Sequence, residues 1–221
     1  MADPGGERRI ATRVLRADDP EALLAALEAL RAGETVVFPT DTVYGVGSDA
    51  WSAEAVERLF WAKERPRAMA IPILVSAPRH VAQVAADLPD AFGPLTARFW
   101  PGGLTLVVPR RQVVPEVVSA GGATIAVRMP DHPVALALIE AAGGVLAVTS
   151  ANRSSRPAPA TAGEALADLD GRVALVLDGG ACPGGIASAV VDLVSAPPRL
   201  LRAGGIPPAM LREVLPHLVD D

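Results

Sequence analysis

The sequence predicts an α/β domain built on a mixed, twisted sheet. Short β-branched runs such as TVVF, LTLVV and VLAVT alternate with segments whose leucines recur at helical spacing, an interleaving that is typical of α/β folds. Half of the 221 residues are apolar and a fifth are charged, which excludes disordered and fibrous proteins. Since no second compositional regime interrupts the chain, we expect one domain over residues 13–215, with tails at 1–12 and 216–221.

The first elements are indicated by helix-capping signals. Asp19 and the proline after it supply a cap and a first-turn proline for the helix EALLAALEALRA, which Gly33 ends. The strand TVVF follows. Ser52 can cap a second helix, AEAVERLFWAK, and Glu54 is favourably placed in its first turn. This second helix therefore places Lys63 at its C-terminal end.

The remaining elements continue the alternation of strands and helices. We expect strands at IPILV, LTLVV, TIAVRM, VLAVT, RVALVLD, ASAVVDLV and RLLRA. Helices are expected in two segments between residues 78 and 99, from His132, over 162–169 and around 208–215. Because the strands are short and rich in β-branched residues, they suit burial between layers of helices.

Charge and targeting signals limit the partners and the compartment. A formal charge of −5 and a pI near 5.3 argue against wrapping nucleic acid by bulk electrostatics, so any RNA contact must use a local basic groove. The start MADPGGERRIATRV lacks the apolar core of a signal peptide, and the most apolar stretch, residues 133–151, is broken by Gly143 and Gly144. We therefore expect a cytoplasmic protein without a membrane span.

Several common catalytic and binding motifs are absent from the sequence. Lys63 is the only lysine and follows no glycine-rich loop, so G-x-x-x-x-G-K-[ST] is missing, and no G-x-G-x-x-G opens a helix after the first strand. H-E-x-x-H and G-x-S-x-G are also missing, and the three histidines lack metal-ligand spacing. Cys182 has no neighbouring histidine and no partner for an internal disulfide, so we interpret it as structural.

Five segments place small, polar and cationic residues beside apolar strands, where α/β sheets bind ligands: 39–45, 63–67, 124–128, 150–154 and 188–192, with Arg202 beyond the last. Taken singly, the first is also typical of a turn, the second of a solvated helix end and the fourth of an Asx turn. Arg128 differs, because it ends an apolar strand and needs an anionic partner from the protein or from a ligand. Together the segments favour a nucleotide and a small carboxylate as ligands.

Seven motifs follow one another along residues 14–206: FPTDTVYGVGSDA, AKERPRAMAIPILV, FWPGGLTLVV, TIAVRMPDHPVA, TSANRSSRPAPAT, ASAVVDL and LLRAGGI. In this combination the chain resembles the YrdC-like threonylcarbamoyl-AMP synthase family. The resemblance implies a twisted open sheet with flanking helices and a large concave cavity. It also implies synthesis of L-threonylcarbamoyladenylate from L-threonine, bicarbonate or CO2, and ATP, with release of pyrophosphate. A transferase complex would accept the adenylate for N6-threonylcarbamoylation of adenosine 37 in ANN-decoding tRNAs.

The resemblance also implies roles for individual residues. The threonine-binding set is Thr42, Arg128, Ser150 and Ser188, in which Arg128 would pair with the substrate carboxylate. The ATP-binding set is Lys63, Arg65, Thr124, Asn152, Ser154 and Arg202. Lys63 and Arg65 would be the catalytic pair that stabilises charge on the phosphates, with Mg2+ bound to ATP and no metal ligands assigned to the chain. Threonine carbamate would attack the α-phosphorus, so the reaction would need no protein nucleophile.

The chain departs from the family pattern at Met69, Ala70, Leu74, Ser155, Ala160 and Ala189. Family members often have a histidine in place of Leu74 and a glycine in place of Ser155. These changes leave the charged anchors intact and affect secondary contacts to ATP and to the threonine side chain. Since the sequence ends soon after LLRAGGI, we expect the short form of the family, without the extra C-terminal domain of longer members.

Two alternatives to this function stay open at the level of sequence. One is a paralogue that forms carbamoyl-adenylate, although the maturation proteins of that kind carry acylphosphatase and zinc-finger modules that a chain with one cysteine lacks. The other is a double-stranded RNA or tRNA-binding module without turnover, whose basic groove would include Arg65, Arg67, Arg153 and Arg156. Pyrophosphate release that requires both threonine and bicarbonate would distinguish the enzyme from the binding module.

Overall fold

Strands and helices alternate along residues 10–183 and 186–220, which the computed structural model describes. The strands are β1 (Arg13–Arg16), β2 (Val36–Phe38), β3 (Gly45–Ser48), β4 (Ile73–Val75), β5 (Leu104–Pro109), β6 (Thr124–Arg128), β7 (Val145–Ser150), β8 (Leu175–Asp178), β9 (Ala189–Asp192), β10 (Arg199–Arg202) and β11 (Val219–Asp220). The helices are α1 (Ala22–Arg31), α2 (Ala53–Lys63), α3 (Val81–Val84), α4 (Phe92–Phe99), α5 (Pro133–Ala141), α6 (Ala162–Leu169) and α7 (Pro208–Val214), with a 3-10 turn at Pro78–His80.

All of these strands belong to a single mixed sheet in the order β1-β8-β2-β3-β7-β4-β6-β5-β9-β10-β11. The sheet contains parallel pairs, such as β4 with β6 and β5 with β9, and antiparallel pairs, such as β3 with β7 and β5 with β6. The α/β fold with a mixed sheet and flanking helices, predicted from the sequence, is confirmed.

One face of the sheet carries the main hydrophobic core. Alternate strand residues such as Ile73, Leu106 and Val127 are fully buried against α2, α3, α4 and α6, which contribute side chains including Leu59 and Leu95. Each apolar side chain of this size stabilises the fold by about 1.5–3 kcal/mol when it is fully buried. The main core therefore stabilises the sheet by packing on one face, and the opposite face is not part of this core.

The second face is covered unequally. Helices α1 and α5 pack over β8, β2, β7 and β4, where Val36, Leu74 and Leu146 are buried in a smaller core. Farther along the sheet, on β6 and β5, Ala126 and Val107 of the same face are only half-buried. The side chains of Thr124 and Arg128 alternate with the core residues of β6 and so lie on this open part of the second face.

The two helix caps predicted from sequence have different outcomes. Ser52 caps α2 as expected, because its hydroxyl accepts a hydrogen bond from the Ala55 amide at 3.1 Å. The prediction that Asp19 caps α1 is wrong, since the helix begins at Ala22 without a side-chain cap. The Asp19 carboxylate instead accepts a hydrogen bond from the Glu21 amide at 2.9 Å, so it stabilises the turn before the helix.

Strand β3 is an element that the sequence analysis did not predict. Its sequence GVGS carries little β-propensity, and the strand forms because it pairs with β2 on one side and β7 on the other. A Cβ atom on Gly45 would lie 2.9 Å from Cγ1 of Val148, and one on Gly47 would lie 3.0 Å from the Phe38 ring. The glycines are therefore required for the close packing of β3 against its neighbours.

The ends of the described chain are attached to the domain. The Ile10 amide donates to the Gly171 carbonyl and the Thr12 hydroxyl donates to the Val173 carbonyl, although both residues fall within the expected N-terminal tail. Within the expected C-terminal tail, Leu218 is buried and β11 pairs with β10. Residues 1–9 and 221 lie outside the described residues, and the domain boundaries stay a prediction. In the described part of the chain, no helix has the length and apolar character needed to cross a bilayer.

Candidate functional site

Arg128 ends β6 and is held by three hydrogen bonds on the second face of the sheet. Only 8% of the residue is exposed. Its Nη2 lies 2.5 Å from Oδ1 of Asp41, its Nη1 donates to the Thr42 hydroxyl at 3.0 Å, and its Nε donates to the Gly102 carbonyl at 2.9 Å. The anionic partner that the sequence analysis required is thus a protein carboxylate. Because a guanidinium has five N–H groups, two of them are left for a ligand.

The PTDT segment delivers both of the side chains that bind Arg128. The Thr40 hydroxyl accepts hydrogen bonds from the amides of Thr42 and Val43 and donates to the Val43 carbonyl at 2.6 Å, which closes a tight turn. Asp41 also accepts a hydrogen bond from the Asp131 amide at 3.1 Å. The segment is therefore a turn, as its composition indicates, and the turn also carries functional side chains.

A line of side chains crosses four neighbouring strands on this face and is polar on three of them. In the strand registers, Arg128 is opposite Thr105, Thr105 is opposite Val190, and Val190 is opposite Arg202. Ser188 precedes β9, and its hydroxyl lies 2.8 Å from the Thr105 hydroxyl. Arg202 donates to this hydroxyl at 3.1 Å and to the Ser188 carbonyl at 3.0 Å. The structure thus brings Arg128, Ser188 and Arg202 together and adds Thr105, which the sequence analysis missed.

Gly204 allows the chain after β10 to pass directly over the start of β9. A Cβ atom at this position would lie 2.1 Å from the Ala189 amide nitrogen and 2.4 Å from the carbonyl carbon of Ser188. This contact fixes Arg202 beside Ser188. Burial, together with the nearby charge of Arg128, lowers the pKa of Arg202.

Lys63 ends α2, and its ammonium group is enclosed by backbone carbonyls. Only 1% of the residue is exposed, and Nζ donates to the carbonyl oxygens of Ser150 and Asn152 at the end of β7. Burial first, and then the charge of Arg65, lower the pKa of Lys63 to about 7, although Asp168 opposes this shift. Lys63 is therefore a buried amine without a bonded carboxylate, and an incoming anion would stabilise its charged form.

Two buried polar atoms beside Lys63 have no partner among the described residues. The Asn152 side chain donates through Nδ2 to the carbonyls of Arg153 and Arg156, and its Oδ1 is left unpaired. The Ser154 amide donates to the Lys63 carbonyl at 2.8 Å, and its hydroxyl is also unpaired. Since buried polar atoms in folded proteins are nearly always hydrogen-bonded, these two indicate a ligand or water position.

Arg65 and Thr124 lie toward the same end of the sheet as Lys63. Arg65 donates to the carbonyls of Met69 at 3.2 Å and Ala70 at 2.8 Å, immediately before β4. Burial lowers the pKa of Arg65. Thr124 starts β6, which runs parallel to β4, so it lies at the end where β4 begins and about 13 Å from Arg128 along the strand.

The loop from Thr40 to Tyr44 connects the two clusters. Thr42 binds Arg128, and the Tyr44 carbonyl accepts a hydrogen bond from the Ala151 amide at 2.8 Å, next to the carbonyls that bind Lys63. Ser150 offers its backbone carbonyl to Lys63, while its side chain alternates with Leu146 and Val148 onto the second face of the sheet. Arg202, of the expected ATP set, lies beside Ser188 of the expected threonine set. The roles of both residues stay a prediction.

The arginines of the expected basic groove are largely paired within the protein. Arg67 pairs with Glu57, Arg153 with Glu64, and Arg156 with Asp168 at 2.6 Å. These contacts reduce the positive charge that the surface could offer to a phosphate backbone. The local basic groove proposed from the sequence therefore has little uncompensated charge.

The residues at which the chain departs from the family pattern lie in different parts of the structure. Leu74 is buried and is opposite Arg128 in register, so an apolar side chain adjoins the Arg128 cluster. Ala189 points into the main core instead of toward Ser188. The exposed Met69 contributes its carbonyl to Arg65. Cys182 is buried, burial raises the pKa of its thiol, and its amide donates to the carbonyl of Ala160.

Ser155 adopts a left-handed backbone conformation, with φ at 70°. Glycine adopts this region without the steric cost that a Cβ atom brings. We expect Ser155→Gly to raise the free energy of unfolding by about 0.5–1 kcal/mol, measured by urea denaturation. Ser154→Gly, one residue earlier, is the control and should give no such gain. A loss of stability in Ser155→Gly would contradict this prediction.

The lowered pKa of Lys63 predicts a pH-dependent stability. An unfolded lysine binds its proton near pH 10.5 and the folded one near 7, so the unfolded state holds more protons between these values and stability rises with pH. Lys63→Met removes this effect. We expect the unfolding free energy of the parent protein, relative to that of Lys63→Met, to increase from pH 7 to pH 10. The increase should be at most about 1.4 kcal/mol per pH unit. Parallel urea-denaturation profiles of the two proteins would contradict the assignment.

The described residues contain no group of three histidine, cysteine, aspartate or glutamate side chains that could hold a metal ion. The carboxylates closest to the site, Asp41 and Asp168, are already bonded to arginine side chains.

Comparisons with known proteins agree with the motif pattern. The model of the Sua5/YciO/YrdC family, described as "Telomere recombination", matches residues 28–204. Threonylcarbamoyl-AMP synthase of Pyrococcus abyssi is 42% identical over 186 residues, which cover 84% of this chain and 55% of the relative. The enzyme of the same name from Bacillus subtilis is 42% identical over 212 residues, which cover 92% of this chain and 59% of the relative. The chain thus spans somewhat more than half the length of these relatives.

A solved structure shows the same similarity in three dimensions. The crystal structure of Pyrococcus abyssi Sua5 complexed with L-threonine matches with a TM-score of 0.89 and 38% sequence identity. The match covers 96% of this chain and 62% of that one. The shared fold thus extends over nearly all of the present chain.

Proposed function

Because the chain belongs to the Sua5/YciO/YrdC family, we propose that it is an L-threonylcarbamoyladenylate synthase. This nucleotidyltransferase makes threonylcarbamoyl-AMP and pyrophosphate from L-threonine, bicarbonate or CO2, and ATP. One structural observation carries the proposal: the loop from Thr40 to Tyr44 joins a buried lysine beside unpaired polar atoms to a buried arginine with free N–H groups. Such an arrangement suits two anionic substrates that must react with each other.

The nucleotide occupies the Lys63 end of the site. Phosphate oxygens replace or supplement the carbonyl acceptors of the Lys63 ammonium, and Arg65 adds a second cation. The unpaired Oδ1 of Asn152 accepts a hydrogen bond from the nucleotide, and the unpaired Ser154 hydroxyl donates one. Thr124 lies at the same end and is available as a further contact. Negative charge that develops on the transferring and departing phosphates is then stabilised by cations already in position.

The amino acid occupies the Arg128 end. The two N–H groups of Arg128 that the protein does not use bind its carboxylate, and the hydroxyls of Thr42 and Ser188 fix its orientation. Ser150 lies where the two ends meet. The site is buried, so these charge-assisted bonds are stronger than they would be at the surface.

The chemistry requires no protein nucleophile. The amine nitrogen of threonine bonds to the carbon of bicarbonate with loss of water, giving a carbamate. A carbamate oxygen then bonds to the α-phosphorus as the bond to the β-phosphate oxygen breaks, and pyrophosphate leaves. The residues of the site contribute by positioning the reactants and by electrostatic stabilisation.

The proposal has three further parts, which concern the source of Mg2+, the compartment of the protein and the acceptor of the product. Mg2+ enters as the ATP complex, since it is commonly bound through substrate phosphates. A cytoplasmic location suits a product destined for tRNA. The adenylate passes to a transferase complex that modifies adenosine 37, as the similarity to threonylcarbamoyl-AMP synthases supports.

The test is the detection of the product by mass spectrometry. Purified protein is incubated with ATP, Mg2+, L-threonine and bicarbonate, and threonylcarbamoyl-AMP and pyrophosphate are measured. We expect both products only when all of the substrates are present. In a parallel incubation carbamoyl phosphate, which supplies a ready-made carbamoyl group, replaces threonine and bicarbonate, and formation of carbamoyl-AMP there would indicate the carbamoyl paralogue. Absence of pyrophosphate together with salt-sensitive binding of tRNA would indicate a binding module, and either result would overturn the proposal.

A further inference from the structure

The Asp41 carboxylate has one oxygen that the protein uses and one that it leaves free. Oδ1 lies 2.5 Å from Nη2 of Arg128 and accepts a hydrogen bond from the Asp131 amide at 3.1 Å. Oδ2 receives no hydrogen bond from the described residues, and its surroundings do not enclose it completely. The Asp41 side chain as a whole is only 15% exposed. Oδ2 is therefore an acceptor that a small ligand in the site can reach.

Arg128 brings a bound carboxylate close to the carboxylate of Asp41. One N–H group remains free on each terminal nitrogen of its guanidinium, and Nη2 already donates to Asp41. A ligand carboxylate on the free N–H groups approaches Asp41, and like charges repel each other strongly in a site that is largely buried. An ammonium group on the neighbouring carbon of the ligand reverses this effect, since it can lie between the two carboxylates. An α-amino acid thus suits the pair better than a simple carboxylic acid.

Asp41 reaches Arg128 from the side on which the nucleotide end of the site lies. Asp41 belongs to the loop between β2 and β3, and Gly45, where β3 begins, is opposite Ser150 of β7. In the strand order, β3 and β7 lie on one side of β6, which carries Arg128, and the end of β7 binds Lys63 on that same side. An amine nitrogen held by Asp41 therefore lies toward the α-phosphorus of a nucleotide at Lys63. The reaction of the amino acid with the nucleotide requires this order.

Within the described part of the chain, Asp41 is the carboxylate that is bonded to Arg128. The other two contacts of the guanidinium are the Thr42 hydroxyl and the Gly102 carbonyl. Asp131 is exposed and contributes its backbone amide to the cluster. A carboxylate binds an ammonium group more strongly than a neutral acceptor does. Because an amine keeps N–H groups after it loses a proton, Asp41 can hold the nitrogen until it reacts.

We propose that Oδ2 of Asp41 binds the α-ammonium group of the substrate while Arg128 binds its carboxylate, so that the pair selects α-amino acids. This inference rests on the proposed function and adds a specificity-determining residue to it. It goes beyond a role in which Asp41 only orients Arg128, since Oδ1 is sufficient for that role.

The test compares two ligands that differ only in the amine. L-Threonine and (R)-3-hydroxybutanoate share the carboxylate and the hydroxyl, and threonine alone has an ammonium group. Their dissociation constants are measured by isothermal titration calorimetry without ATP, for the parent protein and for Asp41→Asn. The parent protein should bind threonine at least about 10-fold more tightly than the hydroxy acid, the preference expected from one hydrogen bond between charged groups.

Asp41→Asn should affect the two ligands differently, because it removes the negative charge at nearly constant shape. We expect the Kd for threonine to rise at least about 10-fold. The Kd for the hydroxy acid should fall or stay within about twofold, since its carboxylate is no longer repelled by Asp41. Asp131→Asn, the same substitution at the exposed neighbouring carboxylate, is the matched control and should keep the parent preference.

A rise by similar factors for both ligands in Asp41→Asn would show that Asp41 serves only to orient Arg128, and would overturn the inference. An unchanged preference for threonine in this variant would also overturn it, because another group would then hold the ammonium. Equal binding of the two ligands by the parent protein would have the same consequence, and this comparison does not depend on the folding of a variant. If the parent protein binds threonine but releases no pyrophosphate with ATP and bicarbonate, the proposed function fails, whereas the ligand comparison still decides the role of Asp41.

Discussion

Lys63→Ala is expected to lower kcat by about 100- to 1,000-fold, the loss typical of removing one preorganised charge-stabilising group from an active site. Lys63 is the only lysine of the chain and is buried where the ends of α2 and β7 meet. Its charge costs desolvation energy in the folded protein, and no bonded carboxylate compensates it. Such a group stabilises anionic phosphates far more than it stabilises the fold.

The measurement compares turnover with stability. The rate of pyrophosphate release is determined at saturating substrates, and the free energy of unfolding is determined in urea at the same pH. Arg67→Ala is the matched control, since it removes an exposed cation only four residues later whose partner is Glu57. A kcat of Lys63→Ala within about twofold of the parent value would contradict the assignment of Lys63 to the phosphates.

The sequence predicted those features of the site that depend on local structure. Ser52 caps α2, and the length of that helix then places Lys63 at its end. The alternation of TIAVR places Thr124 and Arg128 on one face of β6. In both cases the pattern within one element determines where the side chain points, so no knowledge of distant contacts is required.

The features that the sequence did not predict depend on pairing between distant segments. Thr105 lies in an ordinary strand sequence, and its role follows only from the registers that place it between Arg128 and Ser188. Asp41 could be recognised as a turn residue, whereas its bond to Arg128 spans 87 positions of the chain. Strand β3 is formed by its neighbours despite its glycines. These contacts are tertiary, and propensity carries little information about them.

Arg202 shows how tertiary placement changes a functional interpretation. Its motif associates it with ATP, whereas the register of β10 with β9 places it beside Ser188 and three strands away from Arg128. Arg202 thus lies on the side of Arg128 away from β7, whose end binds Lys63. Only the strand order shows this placement.

Arg128→Ala is expected to weaken threonine capture by about 2–5 kcal/mol, the cost of truncating one partner of a buried, hydrogen-bonded charge pair. Arg128 is 8% exposed, and its guanidinium has two N–H groups that no described residue uses. Its loss also leaves Asp41 facing the site without its partner, so the pocket would repel a carboxylate. Arg128→Lys keeps the charge and loses the forked geometry, so we expect an intermediate effect.

The readout for Arg128 is KM for threonine at saturating ATP and bicarbonate, with KM for ATP as an internal reference. Arg110→Ala is the control, because Arg110 is a half-buried arginine whose side chain bonds only to the carbonyls of Gly122 and Val114. Both alanine variants should lose stability, since both leave buried acceptors unpaired. Only Arg128→Ala should raise KM for threonine. An equal KM in the two variants would mean that Arg128 serves the fold through Asp41 and Thr42 and does not bind the substrate.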